Sequence, residues 1–149
     1  MKVKDCMCNS VYCVTPNTNI QEVAKIMSEN HIGCVPICND DNYVSGIITD
    51  RDILLRCIAC NKDTNQTKAS DIMTTNVCTC MEEDDIKNAQ TKMEQNQIRR
   101  LPVCDNKNKV IGILTLGDLA QNGEELGSKE LSTTFENICD CNGQTKNAE

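Results

Sequence analysis

Two short stretches carry the side chains best placed for chemistry. Gly46 to Ile53 reads GIITDRDI and Gly112 to Leu119 reads GILTLGDL, so each sets a threonine three residues ahead of an aspartate: Thr49 with Asp52, and Thr115 with Asp118. A carboxylate in the first turn of a helix can accept from two vicinal hydroxyls, and a well-made charge-assisted hydrogen bond is worth roughly 1.5–3 kcal/mol. The threonine at the strand end can offer its hydroxyl to an anion beside the unsatisfied N–H groups of the helix start. The same Thr-x-x-Asp spacing is also a capping box, which needs no ligand.

Cysteine is the other reactive type, with 12 in the chain. Cys6 with Cys8, Cys78 with Cys80 and Cys139 with Cys141 are C-x-C pairs, and Cys57 with Cys60 is C-x-x-C. On an extended strand residues i and i+2 share a face, so a C-x-C pair could chelate, and C-x-x-C is half a zinc site. There is no second C-x-x-C, and the sole histidine, His31, reads as a surface or capping residue ahead of a strand. Cys34 and Cys38 sit in an apolar run around VPI and read as small buried hydrophobes. No Ser-His-Asp or Cys-His-Asn set, P-loop or paired acids outside turns and helix starts is present, so the expectation is a protein that is not an enzyme.

The elements that position these residues come in duplicate. Adding 66 to a number in the first half gives its counterpart: Pro36 and Pro102, Gly46 and Gly112, Met27 and Met93, Asp5 and Asp71. Each copy reads as β-α-β-β-α. Residues 3–8 and 69–74 are short turns before leading strands at Val11 to Thr15 and Val77 to Cys80. Thr18 and Gln21 have capping-box spacing ahead of the stripe Ile20, Val23, Ala24, Met27; Asp84 caps the second stripe, Ile86, Ala89, Met93, with Gln90 in place of Ala24. CVPIC and LPVC are strands with proline at the start, each returning through a polar turn, Asn39 to Asn42 or Asp105 to Asn108, into Tyr43 to Thr49 or Lys109 to Thr115. Helices then run from Asp52 to Ala59 and from Asp118 to Asn122. The units are predicted at 3–60 and 69–123, joined by an exposed polar linker at 61–68. The tail, 124–149, carries Leu131, Phe135 and Ile138 at the spacing of one amphipathic helix and frays from Cys139.

Composition narrows the function. Aromatic content is 2% with no Trp, which removes the stacking platforms of single-strand nucleic-acid binders, and a formal charge of -7 with scattered Lys and Arg repels a phosphate backbone. No run of 18 apolar residues and no cleavable leader follows Met1, so the expectation is a soluble cytoplasmic protein without nucleic-acid or membrane partners. Units of about 60 residues lie near the lower limit for an independent core.

Two β-α-β-β-α units, each ending in G-h-h-T-x-x-D behind an x-P-h-C strand, resemble a tandem pair of cystathionine-β-synthase-type (CBS) domains. TDRDI, QIRRLPV and LGDLA look like the small stand-alone bacterial CBS-pair proteins. The resemblance implies an α+β fold about a pseudo-twofold axis, homodimers, and a regulatory role. It further implies that an adenosine-containing ligand (AMP, ADP, ATP, NAD or S-adenosylmethionine) binds in clefts between the two units, with no cofactor required. On that likeness Asp52 and Asp118 would each hold a ribose. Val14, Thr15, Val35 and Ile37 would enclose one adenine, and Cys80, Met81, Leu101 and Val103 the other. Arg99 and Arg100, whose counterparts are Gly33 and Cys34, would face phosphates; Arg51 stands beside the first site alone. The alternatives are a cysteine-based metal-binding or redox-sensing protein, or a ligand-free interaction scaffold.

Overall fold

The computed structural model describes residues 1–139. In chain order its elements are α1 (Val3–Cys6), α2 (Ile20–Asn30), β1 (Cys34–Cys38), β2 (Val44–Thr49), α3 (Asp50–Ile53) continued by a π-helical stretch (Leu54–Ile58), α4 (Ala69–Ile72), β3 (Cys80–Met81) and α5 (Ile86–Asn96). β4 (Arg100–Cys104), β5 (Val110–Thr115), α6 (Leu116–Gln121), α7 (Gly123–Leu126) and α8 (Ser128–Cys139) follow. Helix and strand mix within each repeat, which is the α+β class. No helix among the described residues is long and apolar enough to cross a membrane.

Two compact units divide the chain, and they cut across the repeats. Among the described residues, one gathers 1–9, 78–105 and 111–139; the other gathers 10–77 and 106–110. The segment leading each repeat therefore belongs to the unit built on the other repeat.

In the unit built on the first repeat, Ile20, Val23 and Met27 of α2 face inward because their spacing returns to one side of a 3.6-residue helix. Val35 and Ile37 of β1, Ile48 of β2, Cys57, and Ala69 with Ile72 of α4 complete that core. β1 and β2 pair antiparallel with Val35 opposite Ile48, and a bulge falls between Ile37 and Cys38. Their turn is fixed by Asn39 Oδ1, which accepts from the N–H groups of Asp41 and Tyr43 at 3.0 Å each. Asn42 closes it at φ 64°, a left-handed conformation that asparagine tolerates. Outside the hairpin, Ile47 and Thr74 exchange backbone bonds of 3.0 Å each. Gly46 permits that approach, since a Cβ there would stand 2.4 Å from Met73 Sδ.

The other unit repeats the plan with Ile86, Ala89 and Met93 of α5, Cys80, Leu101, Val103, Leu114 and Leu119, and takes Val3 and Cys6 of α1 into its core. Cys8 pairs with Ile113 as Thr74 does with Ile47. Lys2 and Lys4 both ion-pair with Glu83, and the hydrogen bond from Lys2, then that from Lys4, pull its carboxyl down to about 2. α8 packs on α5: Lys87 Nζ lies 3.6 Å from Glu130, Asn137 donates to Glu94 at 3.2 Å, and Thr134 and Ile138 are buried. Gln90 is 4% exposed and its Nε2 has no hydrogen-bond partner among the described residues, whereas its counterpart Ala24 is half-buried.

Several local expectations shift. Within 3–8 and 69–74, Val3–Cys6 and Ala69–Ile72 form short helices rather than bare turns. The leading strands shrink to one bridge residue, Val14, and to Cys80–Met81. The cap of α2 is Asn19, accepting from Glu22 N–H at 2.8 Å, while Thr18 Oγ1 accepts from Thr15 N–H; α5 is capped by Asp85, and Asp84 instead accepts from Met81 N–H. Short polar side chains compete for the same few orphan N–H groups, and backbone geometry chooses between neighbours. Proline lies mid-strand, opposite Ile47, because Ile47 spends its own N–H and C=O on Thr74 and asks nothing of Pro36. The helices after β2 and β5 begin at Asp50 and Leu116. Within 61–68 Thr67 is buried, its carbonyl accepting from Ile20 N–H at 2.9 Å, so that polar stretch is tied down. Cys139 ends α8, and residues 140–149, with Cys141 of the last C-x-C pair, lie outside the described residues.

Candidate functional site

Thr49 and Thr115 are the N-caps of α3 and α6, and each closes a capping box. Thr49 N–H donates to Asp52 Oδ2 at 2.9 Å and Asp52 N–H returns to Thr49 Oγ1 at 3.2 Å. In the second copy Thr115 N–H donates to Asp118 Oδ2 at 2.7 Å, Asp118 N–H returns to Thr115 Oγ1 at 3.1 Å, and the Thr115 hydroxyl itself donates to Asp118 Oδ2 at 2.8 Å. Both aspartates are half-buried. Each box engages Oδ2 and leaves Oδ1 outside it; Asp52 Oδ1 lies 3.8 Å from Arg56 Nε.

The N–H groups expected to receive an anion are largely committed inside the chain. At α3, Asp50 N–H donates to Gly33 O at 3.0 Å and Arg51 N–H to Asp50 Oδ1 at 2.9 Å, so with the box all four first N–H groups are taken. At α6, Leu116 N–H donates to Arg99 O at 2.9 Å, and Gly117 N–H is the one group of four outside these contacts. A helix start whose donors are satisfied has lost most of its attraction for a phosphate.

The strand residues fall into two groups. Val35, Ile37, Leu101 and Val103 are 0% exposed and Cys80 1%, so their side chains belong to the cores, and only their backbone edges are left for a ligand. Val14 is 8% exposed. Thr15 is exposed and Met81 half-buried. Backbone pairing does bring each leading segment beside its proline strand: Val14 bridges Ile37 in parallel, and Cys80 pairs with Val103. Arg51 is exposed and Arg100 half-buried. Arg99 is exposed and its Nη2 donates to Cys139 Sγ at 3.8 Å, which draws the guanidinium toward α8.

Arg56 escaped sequence reading. Its Nη1 donates to Ile72 O at 3.0 Å and Thr74 Oγ1 at 3.3 Å, so one side chain links Asp52 to the end of α4 and the segment after it. The i, i+4 spacing from Asp52 was the available signal. Two of the cysteine pairs are divided between core and surface. Cys6 ends a helix and is buried while Cys8 is exposed; Cys57 is buried with its thiol on Lys62 O, and Cys60 is exposed with its thiol on Leu55 O. Burial lifts the Cys80 thiol to about 12. Among the described residues no three His, Cys, Asp or Glu side chains group to hold a metal ion. A hollow of about 430 Å³ lies elsewhere, lined by Ala120, Leu131, Ser132, Phe135 and Glu136.

A family model described as CBS domain matches residues 3–58 and again residues 69–124. The chain belongs to the CBS domain family. Over 91% of its length it is 39% identical to the CBS domain-containing protein YhcV of Bacillus subtilis, 97% of which is covered. The crystal structure of the CBS domain pair of protein MJ0100 in complex with 5′-methylthioadenosine and S-adenosyl-L-methionine is similar at TM-score 0.74 and 32% identity, covering 82% of this chain and 98% of that one. A crystal structure of Hypoxic Response Protein I with two coordinated zinc ions is similar at TM-score 0.72 and 31% identity, with the same coverage of 82% and 98%. Two tandem CBS units of mixed α+β fold are thus established.

Proposed function

We propose that this CBS pair is a regulatory module without catalysis of its own, binding an adenosine-containing ligand of the class AMP, ADP, ATP, NAD or S-adenosylmethionine through Asp52 and Asp118. The observation that carries the reading is the matched pair of half-buried carboxylates, each pinned through Oδ2 and holding Oδ1 outside the capping box. A carboxylate already fixed in orientation loses little freedom on accepting from a ribose diol. Similarity to the MJ0100 domain pair, solved with two adenosyl ligands, supports the ligand class.

Because the N–H groups of α3 are committed and Asp50 adds a second acid, recognition rests on the nucleoside rather than on a phosphate chain. Adenosyl compounds without phosphate are therefore expected to bind at least as well as ATP. A thermal-shift panel of AMP, ADP, ATP, NAD, S-adenosylmethionine and cyclic dinucleotides tests this, since a ligand at 100 times its Kd stabilises by about 2.7 kcal/mol, or about 5–10 °C in a chain of this size. Asp118→Ala is expected to weaken binding about tenfold or more. Flat curves with every adenosine compound would remove the adenosine reading and favour an interaction scaffold.

Pairing into a homodimer belongs to the same reading. Leu54, Leu55 and Ile58 are 58%, 45% and 52% exposed, large apolar side chains grouped on the π-helical stretch. Light scattering of wild type beside Leu55→Glu checks it: a monomeric wild type removes the dimer.

A further inference from the structure

Two cysteines that no spacing motif connects are held together by the fold. Val14 bridges Ile37 in parallel, with Val14 N–H donating to Pro36 O at 3.1 Å and Cys38 N–H donating to Val14 O at 2.8 Å. Cys13 immediately precedes Val14 and Cys38 immediately follows Ile37, so both thiols hang from backbone that these two bonds immobilise. The Cys38 side chain hydrogen-bonds the Cys13 sulfur. Their surroundings differ: Cys38 is 3% exposed, whereas Cys13 is half-buried and reachable from solvent.

We propose that Cys13 and Cys38 form a redox couple that closes to an intramolecular disulfide on oxidation by a hydroperoxide. Cys13 thiolate attacks one peroxide oxygen, the O–O bond breaks, and water or an alcohol leaves with a proton, giving a sulfenic acid. Cys38 then loses its proton and attacks that sulfur; the S–O bond breaks, hydroxide takes up a proton and leaves as water, and the S–S bond forms. Two thiols are oxidised by two electrons in total and one peroxide is reduced, and a dithiol reverses the step.

Three observations single this pair out. The hydrogen bond from Cys38 lowers the Cys13 thiol below its usual range against the opposing effect of burial, while burial raises Cys6 and lifts Cys80 to about 12. A thiolate is the attacking species, so Cys13 has the advantage that those core cysteines lack. The second repeat has Thr79 and Cys104 at the matching positions, so the couple exists in one copy alone. Finally, a bond between residues 13 and 38 closes a loop that contains all of α2.

The test uses the full chain, reduced, desalted and without added ligand. Hydrogen peroxide is added below one equivalent, remaining thiols are alkylated, and non-reducing peptide mapping follows. The expected product is a Cys13–Cys38 linked peptide in excess of any adduct at exposed Cys8 or Cys60, with a Tm several degrees above that of the reduced protein and full return with dithiothreitol. Cys38→Ser is expected to leave a sulfenic acid on Cys13 that dimedone traps, and Cys13→Ser to leave Cys38 unmodified. Oxidation that falls on Cys8 and Cys60 without the 13–38 link in wild type overturns the proposal, even if neither serine variant folds. The readout is covalent and ligand-free, so its failure leaves the adenosine reading standing.

Discussion

Substituting alanine at the two matched glycines separates the approach of a strand to backbone from its approach to a flexible side chain. At Gly112 a Cβ would stand 2.7 Å from the carbonyl oxygen of Cys8 and 3.0 Å from Met7 Sδ. Carbon and carbonyl oxygen normally meet no closer than about 3.3 Å, so β5 and the segment after α1 must part by about half an ångström. The paired bonds between Cys8 and Ile113, 2.9 and 3.0 Å, stretch together with that movement. At Gly46 the severe clash, 2.4 Å, is with Met73 Sδ, which can rotate away, and the nearest backbone atom is Thr74 O at 3.1 Å. Overpacking costs about 1–3 kcal/mol; Gly112→Ala belongs at the upper end and Gly46→Ala at the lower. With about 4 °C per kcal/mol for a chain near 150 residues, the expected falls in Tm are about 10 °C and about 4 °C. Gly117→Ala is the internal control, because its Cβ would meet only Thr115 Oγ1 at 3.5 Å and it lies in a helix, where alanine gains about 0.5–1 kcal/mol. Differential scanning calorimetry without ligand, with urea m-values to confirm an unchanged transition, measures all three. A Gly112→Ala protein as stable as wild type, or one less affected than Gly46→Ala, refutes the close-approach reasoning.

Gln90→Met keeps the shape and removes a buried amide whose Nε2 has no partner among the described residues, so it is expected to raise stability by about 1–3 kcal/mol; an unchanged urea midpoint would show that the amide is satisfied after all. His31 sits in the left-handed conformation at the C-cap of α2 with φ 53°, so His31→Gly should raise Tm by about 2–4 °C, and a fall would show that the imidazole contributes more than its strain costs. Cys80 holds its proton up to about 12 when folded but only to the ordinary thiol value of 9.0 when unfolded. The folded state binds the extra proton between those limits, so stability is unaffected below about pH 9 and falls as pH rises toward 12, by about 1.4 kcal/mol per unit. Cys80→Ala is expected to lack that slope in alkaline denaturation series, and parallel slopes would contradict the assignment.

The capping boxes of α3 and α6 were legible because their chemistry is local. Thr49 with Asp52 and Thr115 with Asp118 have capping-box spacing, and a box of that kind closes within one turn whatever surrounds it. Which donors remain for a ligand was not legible, because Asp50 N–H and Leu116 N–H end on carbonyls of Gly33 and Arg99, residues that only the tertiary fold brings near. The apolar types at Val35, Ile37, Leu101 and Val103 could suit an adenine face or a core equally well. Their full burial decides for the core, and residue type carries no information on that choice.

By itself, the sequence determined the duplication, the alternation of helix and strand, the hairpin turns at Asn42 and Asn108, and the two acids placed alike. All of these depend on contacts within a few residues or on a fixed offset of 66. Tertiary structure alone decided that residues 1–9 and 69–77 join the unit built on the opposite repeat, that Arg56 reaches Ile72, and that Cys13 meets Cys38. Those contacts are between segments far apart in the chain, where sequence spacing sets no geometry and burial of the whole apolar surface selects the partner.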